Sequence, residues 1–227
     1  MEKKIILALD NFSDLEEAIN ITNQVKDKVT VKIGLQMWNL FGKERLKRFN
    51  EIGVNNLFLD LKLNDIPATA RAATLALKDL KFGYLTVMAL GGNKMIKEVK
   101  NAAYEIDPNI KVLAVTILTS ISQKELSRFG INSSIENIVI QLAKNSSEAH
   151  GYIASALEAK LLREKFPKKL ILCPGLRLPD ETKNDQVRTA TPALAFKNGA
   201  DAIIMGRTLL SSGDINKNLE KVLDSIK

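Results

Sequence analysis

The chain has one cysteine, one histidine and one tryptophan among its 227 residues, and aromatic side chains make up 5% of it. A lone thiol, Cys173, excludes an internal disulfide, fits a reducing compartment and cannot seed a cysteine-rich metal site. With His150 alone, neither a histidine-based metal site nor a Ser-His-Asp triad can be assembled, and no second histidine is available to activate Cys173 as a nucleophile. So few aromatics leave no obvious base-stacking platform for nucleic acid. No apolar run approaches the roughly 20 residues that a membrane-spanning helix needs. Met1-Glu2-Lys3-Lys4 passes straight into a short apolar run that ends at Asp10, which has neither the length nor the flanks of a signal peptide. The expectation is a cytoplasmic protein that engages no membrane.

What is present is an ample core: 45% of the residues are hydrophobic, enough for one domain over residues 1–227. The net charge of +7 suits either anionic small substrates or a nucleic-acid surface. Lys43, Lys47, Lys94, Lys97, Lys100, Lys160 and Lys165 are strewn along helix-like segments, which favours solvated helix faces and a small anionic substrate over nucleic acid. Short runs rich in Ile, Val and Leu fall at 5–9, 30–33, 56–59, 84–88, 111–115, 151–154, 169–172 and 200–205. Amphipathic stretches at 14–25, 43–51, 68–80, 94–104, 134–149, 156–166 and 215–226 separate them. Strands apolar on both faces and alternating with helices predict a parallel sheet, and eight of them predict a (β/α)8 barrel of the TIM type, with an open doubly wound sheet as the alternative.

The segment Leu57-Phe58-Leu59-Asp60-Leu61-Lys62-Leu63-Asn64-Asp65-Ile66-Pro67 sets two carboxylates and an ammonium at the end of an apolar run. Strand alternation puts Asp60 and Lys62 on one face, and Asp65 follows in the turn before Pro67 opens a helix. Burying any one of these charges alone would cost several kcal/mol, so a mutually paired cluster is expected. Other polar residues stand where barrel strands would end: Asp10, Lys32 and the pair Thr119-Ser120. Pro174-Gly175-Leu176-Arg177, running on through Asp185-Gln186-Val187-Arg188, and Gly206-Arg207 at a helix start have the makings of a phosphate grip, with close backbone approach and a bidentate guanidinium.

Each reading has a plainer rival. Asp60, Lys62 and Asp65 would also make a structural ion-pair network at a barrel rim. Asp10 and Lys32 alone read equally well as strand-end polar residues, and Thr119 and Ser120 as helix caps. Arg188 reads as structural or as a loop partner, Cys173 as a small core residue, and Trp38 with its Leu and Met neighbours as core or dimer contact. His150 reads as the entry to the sixth strand, remote from the catalytic face.

The segments Ala8-Leu9-Asp10, Val31-Lys32-Ile33-Gly34, Asp60 through Pro67, Leu118-Thr119-Ser120, Pro174 through Arg177, Asp185 through Arg188 and Ile204-Met205-Gly206-Arg207 stand in an order that resembles the orotidine 5′-phosphate decarboxylase family. That resemblance implies a cofactor-free and metal-free loss of CO2 from orotidine 5′-phosphate in pyrimidine nucleotide synthesis. By the same resemblance Lys62 is the proton donor to C6 of the pyrimidine, Asp60 lies against the substrate carboxylate, and Lys32 pairs with the aspartates and binds the ribose with Asp10. Asp65 resembles the residue lent across a homodimer interface to the neighbouring site, and Thr69 counts among the substrate contacts. Thr119 and Ser120 match the pyrimidine-contacting turn, while Arg177, Gln186, Gly206 and Arg207 match residues around the phosphate. A carbanion at C6 has no adjacent electron sink, so a fixed cation must meet the charge where it develops; carboxylates on either side favour the ammonium form of a lysine, an acid rather than a base. The resemblance has two departures: Met88 stands where many members carry histidine, and His150 where an acidic residue is common. A Mg-dependent sugar-phosphate branch shares the Asp-x-Lys-x-x-Asp core but needs a further carboxylate near the second strand's end, where this chain has Lys32-Ile33-Gly34-Leu35-Gln36. A non-catalytic RNA-binding barrel using the basic surface is the alternative from another class.

Overall fold

Strands built from Ile, Leu and Val have to be covered on both faces, and this chain covers them by closing the sheet on itself. The computed structural model describes residues 4–179, 189–211 and 213–226. In chain order the elements are β1 Ile5–Leu9, α1 Leu15–Val25, β2 Thr30–Ile33, α2 Leu35–Leu46, α3 Arg48–Glu51, β3 Leu57–Leu63, α4 Pro67–Leu75, β4 Phe82–Met88, α5 Gly92–Ile106 and β5 Lys111–Val115. They continue as α6 Gln123–Arg128, α7 Ile135–Lys144, β6 Gly151–Ile153, α8 Ala156–Lys165, β7 Leu170–Cys173, α9 Pro192–Lys197, β8 Ala202–Met205, α10 Arg207–Leu210 and α11 Ile215–Asp224. Each strand pairs in parallel with the next, and β8 pairs with β1, so the eight form a closed barrel as the alternation predicted.

Period-two alternation divides the strand residues between two cores. Ile6, Ala8, Phe58, Tyr84, Leu113 and Leu172 are among those filling the barrel interior, where Phe58 and Tyr84 stack at 5.6 Å between ring centroids. Their neighbours Ile5, Leu7, Leu9, Leu57, Leu59 and Leu85 face outward and join the larger core under the helices. α5 docks by one stripe, burying Met95, Ile96, Val99, Ala102 and Ala103. Each of the larger side chains among them, Met95, Ile96 and Val99, is worth about 1.5–3 kcal/mol when removed from water. Among the described residues no helix is long and apolar enough to cross a membrane.

The structure redraws several boundaries. β3 runs on to Leu63, so Asp60 and Lys62 belong to the strand rather than following it. The helix expected over 43–51 is instead α2, starting at Leu35 and kinked at Gly42, whose φ of 67° is open to glycine, followed by the short α3. Only Met37 and Leu46 of α2 are buried, so the helix has no apolar stripe for periodicity to detect. The short α6 had a legible start: Ser122 and Glu125 form a capping box, each side chain accepting the other's backbone N–H. Trp38 is half-buried against the outer core, as read.

His150 stands at the entry to β6, where it does structural work. Its N–H donates to the Val112 carbonyl (2.8 Å), its own carbonyl accepts from Leu170 (3.2 Å), and its Nδ1 accepts the Val112 N–H at 2.9 Å. The imidazole thus stands in for a backbone acceptor between β5 and β6. Burial first, then the charges of Lys100, Lys111 and Lys169, push its pKa down to about 4. The neutral ring is the native one, so the unfolded chain binds the extra proton: this contribution to stability is complete above the ordinary value of 6.5 and is lost as pH falls toward about 4. In urea titrations over that window, His150→Asn, whose side-chain oxygen can accept the Val112 N–H, should lose the part of the pH dependence that wild type shows. An identical slope in both proteins would assign it to other groups.

Candidate active site

At the carboxyl ends of the strands the barrel opens into a cavity of about 980 Å³, lined from β1, β2, β3, β5, β6 and β8 and from loops that include the one after β7. The face is the one where barrel enzymes place their chemistry. Its floor is a row of alternating charges. Lys32 lies mid-barrel, with Ala8 of β1 and Phe58 of β3 as its cross-strand partners. Its Nζ is 3.0 Å from Asp60 Oδ2 and 3.3 Å from Asp10 Oδ2, and the side chain is only 6% exposed. Lys62 Nζ is 2.9 Å from Asp60 Oδ1 and 30% exposed, so of the two ammonium groups it is the one offered to the cavity.

Within the row, Asp60 and Lys32 keep each other charged. Burial alone would raise the Asp60 carboxyl, but the Lys32 and Lys62 ammonium groups beside it outweigh that and hold it at about 2. Burial alone would likewise lower Lys32, and Asp60 followed by Asp10 outweighs it, leaving its pKa raised. Taking one partner from such a buried pair typically costs 3–5 kcal/mol, because the other charge stays buried. Gly34 makes the row possible: a Cβ there would stand 2.4 Å from Asp10 Oδ1 and 3.4 Å from Lys32 Nζ.

A hydroxyl that the sequence reading passed over ties this row to its strand. Thr86 of β4 is fully buried; its Oγ1 accepts the Lys62 backbone N–H at 2.9 Å and donates to Asp60 Oδ1 at 3.0 Å. Nothing marks a threonine inside a Tyr-Leu-Thr-Val-Met strand as different from other strand threonines. Asn11, held at φ 70° with its N–H on Gln36 Oε1 at 2.7 Å, and Phe12 are further cavity residues the sequence left unmarked.

Across the cavity lie the elements expected to grip an anion. Gly175 takes φ 74°, which the turn after β7 requires. Arg177 is 8% exposed, its backbone N–H donating to Ala190 at 3.0 Å and its guanidinium to the Leu176 carbonyl at 2.6 Å. Gly206 closes β8, its backbone against Ala8, and Arg207 follows at the start of α10; both line the cavity. Thr119, buried, and Ser120, exposed, line it from the β5 side. Neither caps a helix, since Ser122 caps α6. Gln186 and Arg188 lie outside the described residues.

Asp65 and Thr69 do not join them. Asp65 is exposed and accepts the Ile66 N–H at 2.7 Å, Thr69 is exposed on α4, and neither lines this chain's cavity. The expected convergence of Asp60, Lys62 and Asp65 is therefore corrected within one chain: after Leu63 the backbone leaves the barrel to begin α4 at Pro67, and Lys32 and Asp10 take the place Asp65 was given. Met88 packs against the interior core with Tyr84 rather than lining the cavity. Cys173 is fully buried, and burial, then Glu158 and Asp201, push its thiol up to about 12, as suits a core residue rather than a nucleophile. Among the described residues no three His, Cys, Asp or Glu side chains gather in a way that could hold a metal ion.

Residues 3–222 match the model of the orotidine 5′-phosphate decarboxylase / HUMPS family. The chain is 36% identical over 230 residues to an orotidine 5′-phosphate decarboxylase of Nitrosomonas eutropha, covering 99% of this chain and 97% of that protein. It is 37% identical to the Fusobacterium nucleatum protein of the same name, over 100% of this chain and 95% of that one. Among solved structures, the orotidine 5′-phosphate decarboxylase of Lactobacillus acidophilus superposes with a TM-score of 0.84 at 33% identity, covering 99% of both chains. Sequence match and barrel geometry agree over nearly the whole length, and the chain belongs to the orotidine 5′-phosphate decarboxylase / HUMPS family.

Proposed function

We propose that this protein decarboxylates orotidine 5′-phosphate to uridine 5′-phosphate without a cofactor, as one catalytic domain serving pyrimidine nucleotide synthesis in the cytoplasm. The observation that carries this reading is the row Asp10, Lys32, Asp60, Lys62 on the floor of a cavity whose far wall carries Arg177, Gly206 and Arg207. The bond between C6 of the pyrimidine and the carboxylate carbon breaks, CO2 departs, and the electron pair stays on C6. The Lys62 ammonium stabilises that charge as it develops and then transfers a proton to C6, leaving a neutral amine that solvent reprotonates. Asp60, ionised well below neutral pH, fixes Lys62 and faces the substrate carboxylate. Lys32 and Asp10 bind the ribose, Thr119 and Ser120 the base, and Arg177, Gln186, Gly206 and Arg207 the phosphate. Binding energy from the phosphate, remote from C6, can be used to close the site and exclude water.

The working unit in this reading is a homodimer in which Asp65 and Thr69 complete the neighbour's cavity. Its support is that both are exposed outside their own chain's cavity, beside apolar side chains left open to solvent: Ile66 is 67% exposed and Leu90 71%. Neither nucleic acid nor membrane enters this reading.

With purified protein, orotate absorbance should fall when orotidine 5′-phosphate is added, at the same rate with excess EDTA; no turnover, or turnover only of sugar phosphates with Mg²⁺, would overturn the assignment. Lys62→Ala should abolish turnover while leaving the melting temperature within a few degrees of wild type, because Asp60 keeps Lys32 and Thr86 as partners. Near-normal activity in that variant would exclude Lys62 as the acid. Lys62→Ala and Asp65→Ala, each inactive alone, should regain about a quarter of wild-type activity when mixed and allowed to exchange subunits, since half the dimers then hold one intact site. A mixture that stays inactive would count against a shared site.

A further inference from the structure

β3 and β4 fall out of step where the chemistry is placed. Leu59 pairs with Leu85 and Leu63 with Val87, so between the two pairs β3 has three residues where β4 has one, Thr86. The excess is a bulge holding Asp60, Leu61 and Lys62, and Lys62 sits in it at φ 49°, a left-handed conformation that a lysine adopts only when its surroundings impose it. A bulge removes residues from the ladder and leaves their polar groups to be satisfied otherwise. Here the Thr86 hydroxyl satisfies one of them, the Lys62 N–H. Tyr84, Thr86 and Met88 alternate onto one face of β4, and the first and last of these pack with the barrel interior. Thr86 stands between them, beside the charged floor.

Three contacts close a ring, and a fourth ties it to Lys32. The Lys62 N–H donates to Thr86 Oγ1 (2.9 Å), Thr86 Oγ1 donates to Asp60 Oδ1 (3.0 Å), and Lys62 Nζ returns to that same Oδ1 (2.9 Å), while Oδ2 is left to Lys32 (3.0 Å). A hydroxyl has one proton. Because Thr86 accepts from a backbone N–H that cannot turn round, its proton is committed to Asp60. That fixes which carboxylate oxygen faces Lys62 and which faces Lys32, and so fixes where the Lys62 ammonium points.

The geometry points to Thr86 as a positioning residue: its hydroxyl clamps the β3 bulge to the Asp60 carboxylate and thereby aims the Lys62 ammonium at the reacting carbon. The inference rests on the decarboxylase reading and deepens it, adding a residue that touches no substrate. A displaced acid acts on the transition state and hardly at all on the bound substrate, so the loss belongs in kcat.

The test compares wild type, Thr86→Val and Thr86→Ser with orotidine 5′-phosphate as substrate and uridine 5′-phosphate as equilibrium ligand. Valine keeps the shape and removes the hydroxyl; serine keeps the hydroxyl. For Thr86→Val, kcat should fall about 10- to 100-fold, while KM and the Kd for uridine 5′-phosphate stay within about threefold of wild type. For Thr86→Ser, kcat should return to within about threefold of wild type even if the loss of a methyl lowers the melting temperature. A valine variant with wild-type kcat, or one in which kcat falls while KM and Kd rise along with it, overturns the proposal. Should valine prevent folding, serine decides alone: a folded serine variant with kcat reduced tenfold or more also overturns it. Wild type that fails to turn over orotidine 5′-phosphate fails the decarboxylase reading itself, an outcome distinct from either variant result.

Discussion

Lys32 sets the terms for everything around it. An ammonium placed inside a β-barrel loses its hydration, and only the two carboxylates at 3.0 and 3.3 Å make that tolerable. Asp60 in turn stays ionised because Lys32 and Lys62 are beside it, one on each carboxylate oxygen. The alternation of sign along Asp10, Lys32, Asp60 and Lys62 is thus a single electrostatic unit, drawn from three neighbouring strands. Gly34 is glycine because that unit leaves no room for a Cβ.

The barrel separates this costly arrangement from the parts that stabilise it. Below the charged row the interior is filled with aliphatic and aromatic side chains, and below those the ends of β5, β6 and β7 are tied together by His150, Val112 and Leu170. Above the row, strained backbone collects: Asn11 and Lys62 are the two non-glycine residues at positive φ among those described, and both line the cavity. Strain gathered at the rim of a well-packed scaffold marks a place where geometry has been fixed for a purpose other than stability.

How much of this could be read beforehand depended on which interactions are local. The eight strands were legible because a strand buried on both faces must be apolar throughout, a pattern visible in a handful of consecutive residues. Pro67 and the Ser122/Glu125 pair likewise announce helix starts by local chemistry. α2 was missed because it covers little core and its kink at Gly42 breaks what periodicity it has. Asp60 and Lys62 were found from spacing alone, since two residues apart on a strand means one face. Asp65 was grouped with them by proximity in sequence, and the turn into α4 carries it elsewhere. Thr86 offered no signal, because its role depends on a bulge in a different strand.

The order of residues by itself determined a parallel sheet of eight strands alternating with helices, which strand ends would carry polar chemistry, and the family, because apolar runs, turn residues and short charged motifs are properties of neighbours along the chain; that the sheet closes was decided by the pairing of β8 with β1. The tertiary structure decided which charges pair: Lys32 with both Asp10 and Asp60, Lys62 with Asp60 and with the Thr86 hydroxyl through its backbone, and Asp65 with none of them. Apart from Asp60 and Lys62, two positions apart, those choices turn on distances of about 3 Å between residues more than twenty positions apart, set by strand register and by one bulge, and no periodicity in a sequence encodes them.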